Sequence, residues 1–213
     1  MLGLLGLARA VSDAVAPCPH AVCVVHHGTI WLTGLPASGK TTLAAALRDR
    51  IQREGRTAQV LDGDLLRDGI NADLGFSRAD RLENVRRVSE VARLFVQAGF
   101  VVVAAVVSPH EEGRVRARRV HAAAGSPFLE VWLATSLAEC ERRDPKGLYA
   151  RGRRGDISGV TGLDDPYEPP SSPDLVVRPG QQTVEDCVEE ILRAFGRLRV
   201  SAAPGGASAP AAP

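Results

Sequence analysis

Residues 34–42 read GLPASGKTT, between the apolar run GTIWLT and the helix-like run LAAALRDRI. Gly34, Gly39, Lys40 and Thr41 satisfy the spacing G-x-x-x-x-G-K-[ST]. The chemistry that needs this pattern is the holding of phosphates. Glycines let the loop curl until several backbone N–H groups face one anion, and the following helix adds its positive end. Lys40 is expected to reach the β- and γ-phosphates, and the Thr41 hydroxyl to ligate Mg²⁺. The bland alternative is a Gly-rich turn with an incidental lysine; the strand before and the helix after speak against it. The implied donor is a nucleoside triphosphate with magnesium.

A second cluster of chemically able residues is LDGDLLRDGI, at 61–70. Asp62 and Asp64 flank Gly63, which is expected to turn the chain sharply. Arg67 follows three residues after Asp64. A carboxylate beside bound phosphates can hold Mg²⁺ or take the proton of an attacking hydroxyl. A guanidinium nearby can clamp an anion through two parallel hydrogen bonds. A solvated turn with a capping aspartate is the competing reading. Further on, Arg81 and Asn84 are three apart and share one helix face. Phe76 precedes that helix, where an exposed ring could stack on a base. Glu83, Arg87 and Glu90 read as solvated surface pairs.

The elements that must position these groups alternate along the chain. Strand-like segments fall at 29–33, 58–61, 100–107, 129–133 and 175–177, and helix-like ones at 41–54, 79–98, 111–124, 136–143 and 184–198. The run VVVAAVV, 101–107, has no polar alternation and reads as a central strand buried on both faces. Strands alternating with helices predict an α/β three-layer P-loop fold with a parallel five-stranded sheet. In such a sheet the 61–70 stretch lies at the carboxyl edge, beside the phosphate loop.

Composition sets the bounds. The chain has 213 residues, 45% hydrophobic and 24% charged, which is a soluble globular composition. Its formal net charge of +1 gives no broad attraction to nucleic acid or an anionic membrane. Cys18, Cys23, Cys140 and Cys187 form no dense disulfide framework, so a reduced cytoplasmic compartment is expected. Cys18 and Cys23 lie among His20, His26 and His27, at a spacing that matches no common zinc pattern. Cys140 and Cys187 fall in helical patterns and read as buried small residues. Residues 1–27 read as an extension of unknown role, too short in its apolar run to span a bilayer and without the positive start of a signal peptide. Residues 200–213, rich in Ala, Pro and Gly, read as a disordered tail.

Taken together the motifs resemble the adenylylsulfate kinase (adenosine 5′-phosphosulfate kinase) family. The likeness runs from about Gly28 to Leu198. It rests on GLPASGKTT, LDGDLLRDGIN, LGFSRADRLENVRR, the pair Ser108–Pro109, RDPKGLY (143–149) and TGLDDPYEPP (161–170). The last two are the most specific. The resemblance implies a kinase domain over 28–199 that moves the γ-phosphate of ATP to the ribose 3′-hydroxyl of adenosine 5′-phosphosulfate, making 3′-phosphoadenylylsulfate. It implies ATP binding by Gly34, Leu35, Pro36, Ala37, Ser38, Gly39, Lys40, Thr41 and Thr42. Asp64 would orient or deprotonate the 3′-hydroxyl, with Lys40 and Ser108 beside it in the catalytic set, and Thr41 with Asp64 would hold Mg²⁺. Asp62, Arg67, Phe76, Arg81, Asn84, Val107, Ser108, Lys146, Gly159 and Val160 would contact the acceptor. Ser108 is the position often described in the family as a phosphoenzyme site; direct in-line transfer needs no such step. RGRRGDI (151–157) falls where the family has a mobile lid, so Arg151, Arg153 or Arg154 could reach the transferring group. A homodimer and a functional link to a separate ATP sulfurylase are also implied.

The chain departs from the family pattern at Pro36, Ala37, His110 and Val160. At 160 the family commonly has an aromatic that covers the second face of the acceptor adenine, and valine cannot stack. Three readings therefore stand: an adenylylsulfate kinase, a kinase of the same fold for another nucleotide or small alcohol, or an ATP-binding partner subunit that no longer catalyses.

Overall fold

The computed structural model describes residues 27–198. Five strands form one parallel sheet: β1 (Gly28–Thr33), β2 (Ala58–Asp62), β3 (Val101–Ala105), β4 (Phe128–Leu133) and β5 (Leu175–Val177), in the spatial order β2-β3-β1-β4-β5. The helices among the described residues are α1 (Lys40–Arg53), α2 (Gly63–Arg67), α3 (Arg78–Gln97), α4 (Glu111–Ala123), α5 (Leu137–Arg143), α6 (Leu148–Arg153) and α7 (Val184–Gly196). None is long and apolar enough to cross a membrane.

Every residue of β1 and β3 is buried, as a strand covered on both faces requires. Alternate residues serve opposite faces. Ile30, Leu32 and Val103 join Leu43, Leu47 and Ile51 of α1 and Ile191 and Phe195 of α7. Trp31, Val102 and Ala104 join Val85, Val88 and Ala92 of α3 and Ala117 of α4. The long helices start where their caps dictate. Ser77 and Asp80 form a capping box at α3, and Thr183 and Asp186 form one at α7.

The expected strands are all present, with ends moved by at most one residue except at β3, which stops two residues early. That run leaves the sheet after Ala105, and Ser108 turns left-handed at φ 41°. Two helices lie where turns or a lid were expected. At Gly63 the chain passes straight from β2 into a helix rather than a loop: Gly63 is the first residue of α2, capped by the Asp62 carboxylate, which accepts from the Asp64 N–H at 2.9 Å. Glycine is needed there because a Cβ would lie 3.3 Å from both the Ala105 carbonyl and the Val106 side chain. The first residues of the expected arginine-rich lid at 151–157 lie in the helix α6 (Leu148–Arg153), anchored by the buried Tyr149. The expectations for residues 1–26 and 199–213, including the Cys18, Cys23, His20 and His26 cluster and the terminal tail, lie outside the described residues. Cys140 and Cys187 are buried as expected.

Because all strands run the same way and in register, their carboxyl ends form one edge. The loop 34–39, Asp62, the 106–110 corner and the loops after β4 and β5 all open there.

Candidate active site

The loop 34–39 leaves β1 and feeds α1 through Gly39, whose φ of 104° no side chain tolerates well. Lys40 is folded back over this loop. Its Nζ donates to the carbonyls of Gly34 (2.9 Å) and Leu35 (2.7 Å) and to Ser38 Oγ (3.3 Å). Burial pulls the ammonium down to about 8, against the opposing pull of Cys140, Asp64 and Asp62. The loop is braced from outside: Tyr149 donates to the Pro36 carbonyl at 3.0 Å, and Thr135 to the Ser38 carbonyl at 3.0 Å. Leu35 and Ala37 pack on the cluster of Cys140, Tyr149 and Val160. Pro36 and Ala37, the departures from the family pattern, are therefore accommodated by α6 and its surroundings.

Thr41 and Asp62 meet across the β1–β2 ends, with the hydroxyl donating to Asp62 Oδ2 at 2.8 Å. A hydroxyl beside a carboxylate suits Mg²⁺, which takes few protein oxygens and fills its octahedron with water and phosphate. The expectation placed Asp64 with Thr41. The structure instead brings Asp62 to Thr41, while Asp64 stands exposed in an ion pair with Lys146. The residue that meets Thr41 is the α2 cap itself, so one carboxylate serves both.

On the β2–β3 side the expected acceptor residues come together unequally. Phe76 is 61% exposed. Arg67 lies flat against one face of its ring, 4.4 Å from the centroid, and donates to the carbonyls of Leu74 and Gly75. The Arg81 guanidinium also lies over the ring, 5.6 Å from the centroid. Arg81 was expected to grip the acceptor. It is instead buried among protein partners: it donates to the carbonyls of Phe76 (3.0 Å) and Gly159 (2.7 Å) and pairs with Asp165 (3.2 Å). It fastens the 159–165 segment to α3. Asn84 shares that face and is buried, its Oδ1 accepting from Asn71 at 2.9 Å.

Two of the expected site residues are buried. The Ser108 hydroxyl does not open into the cleft. It lies 3.1 Å from the Trp31 indole N–H, which donates to it, and the residue is 2% exposed. Val160 does not offer a face to an open pocket either. It is 3% exposed, packed with Tyr149, Cys140 and Leu163, with a Cγ 3.1 Å from the position a Cβ on Gly152 would take. Gly159 stays at the surface as a carbonyl acceptor for Arg81. Val107 presents its carbonyl to the Thr33 hydroxyl at 2.7 Å. Of the lid arginines, Arg153 is pinned to Glu141 (2.6 Å) and Arg154 to Asp156 (2.8 Å). Arg151 is exposed and has no ion pair among the described residues.

The sequence reading named the phosphate loop and not the cavity beside it. A cavity of about 210 Å³ opens beside the phosphate loop, lined by Gly39, Thr42, Arg143, Pro179, Gly180 and Gln182. Arg143 forms one wall, held by Glu139 at 2.8 Å and by the Pro179 carbonyl at 3.0 Å. The signal was present: Arg143 opens RDPKGLY, and both wall segments follow strand ends.

A glycine-rich loop between a parallel strand and a helix, a buried lysine over it, and a carboxylate pair at the next strand end define a P-loop kinase. A model of the adenylylsulphate kinase family matches residues 26–178, and the chain belongs to that family. It is 51% identical over 170 residues to the adenylyl-sulfate kinase of Geotalea daltonii, covering 80% of this chain and 82% of that one. It is 49% identical over 164 residues to the bifunctional enzyme CysN/CysC of Mycobacterium tuberculosis, of which it spans 26%. Among solved structures it is similar to the M. tuberculosis APS kinase CysC in complex with AMPPNP and APS, with TM-score 0.78 and 47% identity over 80% of this chain and 98% of that one. The protein is thus an enzyme of sulfate activation, an ATP-dependent kinase for adenosine 5′-phosphosulfate.

Proposed function

We propose that residues 28–199 form the catalytic unit and that the two substrates meet between the phosphate loop and the β2 end. The observation that carries this division of labour is the carboxylate pair. Asp62 is tied to Thr41 of the donor loop, and Asp64 projects into the cleft two residues on. The loop amides of 34–42 and the α1 end hold the ATP phosphates, and Lys40 swings from its own loop carbonyls onto the outer phosphates. The donor base enters the cavity against Arg143. Thr41 and Asp62 hold Mg²⁺, which supplies charge neutralisation on the phosphates.

Phe76 and Arg67 seat the acceptor base and its anionic groups. Lys146 leaves Asp64 for the acceptor's phosphosulfate, and Asp64 then orients the 3′-hydroxyl and takes its proton. Arg81, Asn84 and Gly159 shape the wall behind it. Of Arg151, Arg153 and Arg154, the exposed Arg151, with no ion pair among the described residues, is the one assigned to meet the transferring group. Closure there excludes water and limits idle ATP hydrolysis. The acceptor must come from an enzyme that adenylylates sulfate, so a sulfurylase is the functional partner. A homodimer and a cytoplasmic location complete the proposal.

The test is an assay of purified protein with Mg·ATP, with and without adenylylsulfate, with the nucleotides resolved by chromatography. ADP and 3′-phosphoadenylylsulfate should appear together and only with acceptor. Asp64→Ala should abolish transfer and leave ATP binding within about twofold, as expected of a group acting on the acceptor. Unchanged turnover in that variant would remove Asp64 from the mechanism.

A further inference from the structure

We infer that Arg114, given no role so far, is the positioning residue that fixes the acceptor wall against the root of the phosphate loop. The inference rests on the assignment of the β2–β3 side to the acceptor. Arg114 sits inside α4 and is 1% exposed. A guanidinium so deep must be matched by partners that hold it in place. Its Nε lies 3.0 Å from Glu130 Oε1 of β4, an ion pair whose geometry is not that of a hydrogen bond. Its Nη1 donates to the Ser108 carbonyl at 2.8 Å, and its Nη2 to the Glu168 carbonyl at 2.8 Å.

Those carbonyls belong to segments distant in sequence, and both border the cleft. The first is the left-handed corner at Ser108, beyond the strand paired with β2. The second is the end of TGLDDPYE. The segments also bond each other, since the Glu168 N–H donates to the Pro109 carbonyl at 2.8 Å and the Glu168 carboxylate accepts from the Glu111 N–H at 2.7 Å. Next to Glu168, the Tyr167 ring lies 5.9 Å from the guanidinium, and its hydroxyl is 3.0 Å from the Thr33 hydroxyl. Thr33 immediately precedes Gly34 and donates to the Val107 carbonyl. One buried cation thus joins the β3 corner, the TGLDDPYE strap and, through Tyr167 and Thr33, the base of the donor loop. The spacing between the donor phosphate and the acceptor hydroxyl is set across this joint.

A purely structural arginine would make the same contacts, so the test must separate positioning from folding. The Arg114→Met change is suited to this. Methionine fills apolar volume, and Glu130 keeps a cation, because Arg118 lies 3.1 Å from its other oxygen. With the full chain, KM and kcat for adenylylsulfate, the Kd of ATP and local amide exchange would be measured. We expect R114M to lower kcat/KM for the acceptor by about tenfold or more, the scale of losing charge-assisted contacts that align reactants. ATP affinity should stay within about twofold, and exchange should rise at 107–110 and 165–170 only. R114K, which keeps the charge but reaches fewer partners, should recover part of the loss. Equal losses for ATP and acceptor, exchange rising throughout the chain, or an unchanged acceptor kcat/KM with unchanged exchange would each overturn the inference. If the unaltered protein phosphorylates no adenylylsulfate, the acceptor reading falls, and the confined rise in exchange still decides Arg114 as the joint.

Discussion

Lys40 offers the sharpest quantitative test of the donor site. In the protein without nucleotide its ammonium is desolvated over the loop and titrates at about 8 rather than at the ordinary 10.5. Bound triphosphate places negative charge against it and restores the ordinary value or raises it further. Binding must then draw in protons. At pH 8 half of the empty protein lacks the Lys40 proton, so uptake is about half a proton per nucleotide bound; at pH 9 it is about nine-tenths. The sign follows: because the bound state holds more protons, affinity falls as pH rises through 8. Between pH 7 and pH 9 the Kd should weaken about tenfold, or about 1.4 kcal/mol. Calorimetry in two buffers of different ionisation enthalpy reads the uptake directly. Lys40→Arg supplies the control, since arginine keeps its proton throughout and leaves only the ligand's own buffering. Tight binding at pH 9 with equal proton uptake in the parent and K40R would refute a buried, partly neutral lysine.

Two further outcomes follow from burial. Ser108→Ala should change kcat by less than about threefold and lower stability by about 1–3 kcal/mol, because it orphans the Trp31 indole N–H; a large loss of kcat at unchanged melting temperature would restore a chemical role for the hydroxyl. Val160→Phe should lower stability by about 1–3 kcal/mol through overpacking against Gly152 and Leu163; an unchanged melting temperature together with a lower acceptor KM would mean that position 160 does face the acceptor.

The sheet was legible because strands buried on both faces are written as unbroken apolar runs, and GTIWLT and VVVAA are such runs. The phosphate loop was legible because its motif carries its own geometry. What escaped was of two kinds. Short helices give no periodic signal: α2 is five residues beginning with glycine, and α6 has Gly152 inside it and a left-handed Gly147 before it. The second kind is long-range pairing. Asp64 could be picked out by type, yet its partner Lys146 is 82 residues away. Arg81 resembled a ligand-binding arginine until Gly159, 78 residues on, proved to be its acceptor. The Ser108 hydroxyl looked available until Trp31, 77 residues back, took it. Residue type announces what a side chain can bind; which partner claims it is decided by the fold.

The strand order explains why the two substrates converge on so few residues. In β2-β3-β1-β4-β5 the phosphate loop rises from the middle strand, so its phosphates lie between two half-sites. On the β4–β5 side the loops carrying Arg143 and Pro179 wall the cavity proposed for the donor base. On the β3–β2 side stand the Ser108 corner, Asp62 and Asp64. The halves also meet directly, where Lys146 pairs with Asp64 and the Glu168 N–H donates to the Pro109 carbonyl at 2.8 Å. Thr41 reaches Asp62 above the sheet edge, and Thr33 reaches Val107 and Tyr167 at the loop's root. A change in either half can therefore reach the other through these threonines, through the Arg114 joint and through the Lys146–Asp64 pair, and the threonines are the links that touch the donor loop itself.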